Sequence, residues 1–183
     1  MTAVGGIWTQ SVVYAFTGDG MAAPYGNLVF DTNGAIHGTT ASFVNSGSSL
    51  VSGTAFQLTP PVFPSKLWTA AILFTFPPEI ADTQPMQPTN GGLVIDSNGV
   101  LYGSLSATPG GYGSLFELTS SSGIWTETVL YNFTDGHDGA YPSALALGKN
   151  GVLYGTTAQG GIIKDCSNAS MFYGCGTVFR LKP

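Results

Sequence analysis

The chain has 183 residues, 43% hydrophobic and 12% aromatic, which is enough apolar material for one well-buried domain. Ten acidic against five basic residues give a net charge of −5 with no basic cluster, which argues against nucleic acid as a partner. The longest apolar run, "AAILFTF" at 70–76, falls far short of the roughly 20 residues that cross a bilayer as a helix, so no membrane span is expected.

In chain order, the sequence writes one pattern three times. Repeat 1 spans 6–61 and contains "GIWTQSVVYAF", "GNLVFDTNGAIHGTT" and "SGTAFQLTP". Repeat 2 spans 65–121, with "KLWTAAILFTF", "GGLVIDSNGVLYGSL" and "YGSLFELTS". Repeat 3 spans 123–183, with "GIWTETVLYNF", "SALALGKNGVLYGTT" and "CGTVFRLKP". Trp8, Trp68 and Trp125 are 60 and 57 residues apart, while Phe56, Phe116 and Phe179 are 60 and 63 apart. The period is therefore about 60, and the whole chain is one repeat domain.

Each unit reads as four strands, because β-branched and aromatic residues alternate with polar ones and no stretch carries a capped 3.6-residue period. In "WTETVLYNF" the pattern places Trp125, Val129, Tyr131 and Phe133 on one face, with Glu127 as the polar exception. The turn before the third strand is "DTNG", "DSNG" or "GKNG", where Asn-Gly supplies the positive φ that a tight hairpin needs. Asp-x-Asn-Gly also begins calcium loops, but the third copy lacks the Asp and no Glu follows at the required spacing. The turn is read as structural.

These phrases, "LYGTT", a downstream "GG" and "GTVFRL", with "GLV-D-x-NG" before and "W-x-x-x-VLY-x-F" between units, resemble the bacterial GloVer tandem-repeat family. Repeat 2 departs at Ser104 and Leu105, and repeat 3 lacks the acidic residue before Asn-Gly. The resemblance implies a secreted, repeat-built protein and carries no catalytic residues across. "GLVIDSNGVLYGSL" is similar in rhythm to the NHL-type propeller repeat, which implies that "GLVID" is an innermost strand A, "VLYGSL" B, "SLFELT" C and "WTAAILFTF" an outer strand D. Four-stranded units of this size are expected to be propeller blades.

Chain order is then D-A-B-C three times, with a strand at Trp8–Phe16 before the first A and no D after the last C. Three blades cannot close a ring. The expectation is an all-β propeller of three blades per chain, closed to six by a homodimer in which each N-terminal strand completes the other chain's last blade. The competing architecture is a β-trefoil, which closes within one chain.

In a propeller the D–A and B–C loops share one face, where function is usually carried. The loop "TDGHDGAYP" clusters Asp135, His137 and Asp138, and Asp19 echoes it in repeat 1. Carboxylates suit calcium and a histidine suits proton transfer, so Asp19, Asp135 and Asp138 are candidate metal ligands and His137 and Asp138 candidate catalytic groups. The plain reading is an Asx-type turn. His37 stands where the other copies have Tyr102 and Tyr154 and is read as packing.

Cys166 and Cys175 lie nine apart without a C-x-x-C or paired His, which suits a local disulfide and an exported protein better than zinc. They would pin a tip presenting Met171, Phe172 and Tyr173. The start "MTAVGGIWTQ" has no charged leader or cleavage pattern, so an export signal is expected to have been removed or to lie upstream. No nucleophile elbow, H-E-x-x-H pair or phosphate-binding Gly loop with Lys occurs. Two functions remain: an extracellular or surface module that binds a glycan, protein or small molecule through the loop face, and a calcium-dependent propeller lactonase or esterase, the latter by analogy of fold alone.

Overall fold

The computed structural model describes residues 8–18, 21–41, 43–44, 50–51, 53–77, 92–106, 111–162 and 174–183. They form three antiparallel sheets and no α-helix. The first sheet pairs β1 (Pro24–Phe30), β2 (Ile36–Thr40), β5 (Thr54–Thr59) and β6 (Thr69–Thr75) in that order, with β3 (Phe43–Val44) and β4 (Leu50–Val51) as a separate short ladder. The second runs from β7 (Val94–Ile95) through β8 (Leu101–Leu105) and β9 (Ser114–Ser121) to β10 (Ile124–Asn132). The third pairs β11 (Ala140–Leu147), β12 (Leu153–Gln159) and β13 (Thr177–Leu181). A sheet is therefore offset from the sequence repeat, because the strand that opens repeat 2 or 3 pairs with the last strand of the repeat before it.

The sheets stack on one another. Between the first and second lie Ala55, Phe76, Leu93, Leu101, Leu105, Phe116 and Leu118, with Trp125 packed beside them. Between the second and third lie Tyr102, Leu115, Phe133, Leu145 and Leu153, with Phe179 and Leu181 against them. On the outer face of the first sheet, Ile36, Phe56 and Leu58 are covered by Tyr14, Phe16, Met21 and Trp68. Burying both faces of a central sheet in this way needs residues that are apolar on alternate sides, as β8 and β9 supply.

One contact recurs three times. The ring that ends each repeat's first apolar segment meets a later one edge to face: Phe16 on Phe56 at 5.1 Å, Phe76 on Phe116 at 5.0 Å and Phe133 on Phe179 at 5.2 Å. The Gly of each "YGTT"-type phrase explains why that residue repeats. A methyl on Gly38, Gly103 or Gly155 would stand 2.6, 2.3 or 2.4 Å from the ζ carbon of Phe56, Phe116 or Phe179, so the ring fits only over a bare backbone.

Two expectations are corrected. Trp8–Phe16 is not a strand, although Tyr14 and Phe16 are packed on the first sheet, because no strand among the described residues lies beside it to share hydrogen bonds. In β10 a bulge between Val129 and Tyr131 breaks the expected common face. Before it Trp125 packs toward the first sheet; after it Leu130 and Phe133 pack toward the third, while Val129 and Tyr131 are exposed. The single-chain trefoil requires the first and last strands to pair, and no such ladder is present among the described residues.

Candidate functional site

At one end of the stack lie the turns that follow β1 and β7. Asp31 Oδ1 accepts the Asn33 and Ala35 N–H groups at 2.8 and 2.9 Å, and Asp96 Oδ1 accepts those of Asn98 and Val100 at 2.9 Å each. Gly34 and Gly99 take the positive φ that completes each turn. The third copy has Gly148 in place of Asp, and its turn tightens into a short 3-10 segment, Lys149–Gly151, with Asn150 left-handed. These carboxylates are spent on backbone N–H groups, as the structural reading of the turn expects. The two Asp turns enclose a shallow groove of about 270 Å³ lined by Phe30, Asn33, Ile95 and Asn98.

His37, 2% exposed, sits between the first two sheets with its ring 6.5 Å from that of Trp125. Its Nε2 lies 3.3 Å from Asp31 Oδ2, while Nδ1 is buried without a partner. Burial pushes the Asp31 carboxyl up, but hydrogen bonds from Ala35, His37 and Asn33 outweigh it, and the carboxyl lies below the ordinary aspartate range. This pair was legible only as two polar residues six apart across a turn.

At the opposite end, the loop 134–139 between β10 and β11 holds the predicted cluster. Asp138 Oδ2 accepts the Tyr131 hydroxyl at 3.0 Å and the Thr134 N–H at 2.9 Å, and Oδ1 accepts the Thr134 hydroxyl at 2.7 Å and the Gly136 N–H at 3.2 Å. Both oxygens are thus occupied by the loop's own donors. Burial raises the Asp138 carboxyl, but these hydrogen bonds, from the Thr134 and Tyr131 side chains first, hold it below the ordinary range. Asp135 is left-handed, its N–H donates to the Gly139 carbonyl at 3.1 Å, and its Oδ1 is buried without a partner. His137 is exposed.

The loop therefore brings Asp135, His137 and Asp138 into one turn, with Asp138 at its centre. Among the described residues no three His, Cys, Asp or Glu side chains are arranged to hold a metal ion. Asp19, Cys166, Met171, Phe172 and Tyr173 lie outside the described residues, so the echo of the cluster in repeat 1, the expected disulfide and the aromatic tip lie there too. Cys175 is described, beside the Gly160 to Gly174 bridge.

Near this loop end, two exposed tyrosines join the second and third sheets. Tyr112 and Tyr141 meet edge to face at 6.4 Å, and the Tyr141 N–H donates to the Tyr112 carbonyl at 2.7 Å. Tyr141 pays for this position with a left-handed backbone at φ 55°, and Ala23, at the start of β1, has the same feature at φ 51°. Strained non-glycine residues at exposed loop rims are candidates for ligand contact.

Glu127 is the polar break in the apolar alternation of β10. It is half-buried on β10 with Oε1 enclosed and unpartnered, and burial raises its pKa.

A second groove, of about 240 Å³, opens between the end of β10 and the edge of β13 that has no partner strand among the described residues, lined by Leu115, Tyr131, Phe133, Phe179, Arg180 and Leu181. No helix among the described residues is long and apolar enough to cross a membrane. Compared with protein-family models, curated proteins and solved structures, the chain matches none.

Proposed function

We propose that this chain is a β-propeller repeat module of the GloVer type, exported or displayed at a cell surface, that binds a carbohydrate or protein ligand through its D–A and B–C loops without catalysing a reaction. In this reading the three sheets are blades, with β1, β7 and β11 innermost. Support comes from the repeated blade order and from the offset pairing that gives each of the first two sheets its outer strand from the following repeat. A homodimer closes the ring, and a Cys166 to Cys175 bridge stiffens the tip that carries Met171, Phe172 and Tyr173.

The observation that carries the non-catalytic reading is Asp138. A general base or metal ligand needs a free oxygen directed at its target, and both oxygens of this carboxylate are committed to Tyr131, Thr134 and Gly136. The rim tyrosines Tyr112 and Tyr141 present flat apolar faces with a polar tip, which suits sugar rings and peptide side chains.

The alternative, a calcium-dependent lactonase or esterase, draws on one feature, the unpartnered Asp135 Oδ1. The two are separated by calorimetric titration with calcium, a lactone and aryl-ester hydrolysis screen, and binding to a glycan array, each on the parent and on Asp135→Ala. Glycan or protein binding that survives chelation and the substitution supports the module. Calcium-dependent hydrolysis lost in Asp135→Ala overturns it.

A further inference from the structure

Among the described residues the outer edge of β13 and the segment Trp8–Phe16 have no partner strand, the two fit each other, and we infer that the groove beside β13 is the receptor for residues 8–16 of a second copy of this chain. The inference rests on the blade and homodimer reading above and adds the receiving groove and the register.

The precedent occurs twice within the molecule. β6 pairs with β5 so that Ala55 faces Phe74, Phe56 faces Ile72 and Gln57 faces Ala71, with a register shift at Ala55/Phe56. β10 pairs with β9 so that Leu115 faces Tyr131, Phe116 faces Val129 and Glu117 faces Thr128, with a shift at the corresponding place. Residues 8–16, "WTQSVVYAF", share Trp, Thr, Val, Tyr and Phe at matched positions with 125–133, "WTETVLYNF". Carried to β13, the same register sets Tyr14 opposite Val178, Val12 opposite Phe179 and Ser11 opposite Arg180.

Exposure on the two sides is complementary. Trp8 is 68%, Val12 72% and Val13 50% exposed, and Val178 on the edge is 81% exposed. The counterparts of Trp8 are not left in this way: Trp68 packs on the cluster of Ile36, Phe56 and Leu58, and Trp125 on the cluster that holds Phe116 and Leu118. In each case the cluster includes the last strand of the preceding repeat, at Phe56 and Leu58 or Phe116 and Leu118, and the matching positions on β13 are Phe179 and Leu181. For a Trp8 docked on β13 that position is the groove between Tyr131, Phe133, Phe179 and Leu181. The outer faces match as well, since Tyr154 and Val178 on the third sheet and Leu28 and Phe30 on the first are exposed where other sheets are covered. Because Phe16 stays packed on Phe56, the segment keeps its place on its own first sheet while it completes the other chain's third. Two such seams close six blades.

The test uses the full chain and two variants at positions exposed in the single copy, Val12→Asp and Val178→Glu. The parent is expected at twice 18.9 kDa by sedimentation equilibrium, and each variant at 18.9 kDa with unchanged circular dichroism. Mixing the two variants is expected to restore a two-chain species, because Val178→Glu brings an intact segment and Val12→Asp an intact edge. A fluorescent peptide of residues 6–16 should bind Val12→Asp and bind Val178→Glu at least tenfold more weakly. A monomeric parent with no peptide binding overturns the inference, as does a dimer that both variants leave intact. Ligand binding to the loop face of the monomeric variants is read separately, so loss of that binding in an intact dimer counts against the blade module alone.

Discussion

The hydroxyls of Thr40 and Thr54 lie 2.8 Å apart across β2 and β5, fully buried, and Thr40 Oγ1 also accepts the Thr54 N–H at 3.0 Å. Thr157 and Thr177 repeat the arrangement in the third sheet at 2.9 Å for both contacts. In the second sheet Leu105 stands opposite Ser114, and the Ser114 hydroxyl is buried with no partner. The same two ladder positions thus hold a satisfied pair in two sheets and an orphan in the other. An unsatisfied buried hydroxyl costs about 1–3 kcal/mol, whereas a paired one contributes about 1. Ser114→Ala is therefore expected to be neutral or stabilising by up to about 1 kcal/mol, and Thr54→Ala destabilising by about 1–2 kcal/mol. Urea denaturation of both variants reads the sign, and destabilisation by Ser114→Ala as large as that of Thr54→Ala would refute the assignment.

Gly103 offers a second check on the repeat. A methyl there meets Phe116 Cζ at 2.3 Å and Leu93 Cδ2 at 3.0 Å, and both neighbours are fully buried between the first two sheets. Neither ring nor branch can retreat without opening the cluster that also holds Phe76. Gly103→Ala is expected to cost about 1–3 kcal/mol through overpacking. Gly99→Ala, which meets open space but keeps a left-handed backbone at φ 82°, should cost about 1 kcal/mol. A thermal shift larger at Gly99 than at Gly103 would show that the glycine phrase is set by the turn rather than by the ring.

These two glycines mark how far the sequence could be read. The turn glycine, the three Trp spacings and the Phe spacings are local or periodic signals, and they located the strands and the all-β class without a structure. The bulge in β10 was not legible, because it depends on how Leu130 and Phe133 find the third sheet while Trp125 stays with the first. The segment Trp8–Phe16 has a strand's composition and still forms none, since a strand needs an adjacent backbone and composition cannot say whether one is present. At the loop end the sequence located Asp135, His137 and Asp138 together but not the donors from Tyr131 and Thr134 that occupy Asp138.

Glu127 and Asp31 predict opposite contributions in acid. The Glu127 pKa is raised by burial, so the folded state holds the proton more tightly than the unfolded one. The charged form then costs stability, and that cost is relieved as pH falls through the folded value. Glu127→Gln, the residue that repeat 1 carries as Gln10, is expected to stabilise the protein at pH 7 by on the order of 1 kcal/mol, with the gain disappearing below the glutamate range. Asp31 is lowered, so its contribution is present above the ordinary aspartate pKa and is lost as pH falls through the folded value. His37→Gln weakens the interaction with Asp31 and should move that loss to higher pH. Denaturation midpoints between pH 3 and 7 test both, and parallel curves for Glu127→Gln and the parent would rule out a buried charge at 127.

The Asp138 web gives the prediction on which the functional reading depends most. Asp138→Asn keeps the side-chain shape but replaces one acceptor oxygen by a donor, leaving two of the donors from Tyr131, Thr134 and Gly136 without a partner. Charged acceptors of this kind contribute about 1–3 kcal/mol when buried, and the partly exposed loop should show the lower end, about 1 kcal/mol at pH 7. Because the folded carboxyl lies below its unfolded value, that difference is present above the ordinary aspartate pKa and fades as pH falls through the folded one. The Tyr131 hydroxyl is raised by burial, by its hydrogen bond to Asp138 and by the carboxylate charge, so Asp138→Asn should also bring the Tyr131 titration down toward the ordinary tyrosine value. Ultraviolet titration of the tyrosines against a Tyr131→Phe control isolates that group. An unmoved Tyr131 and an unchanged stability would mean that Asp138 is not held by its own loop, and the carboxylate would again be free to serve a ligand or a reaction.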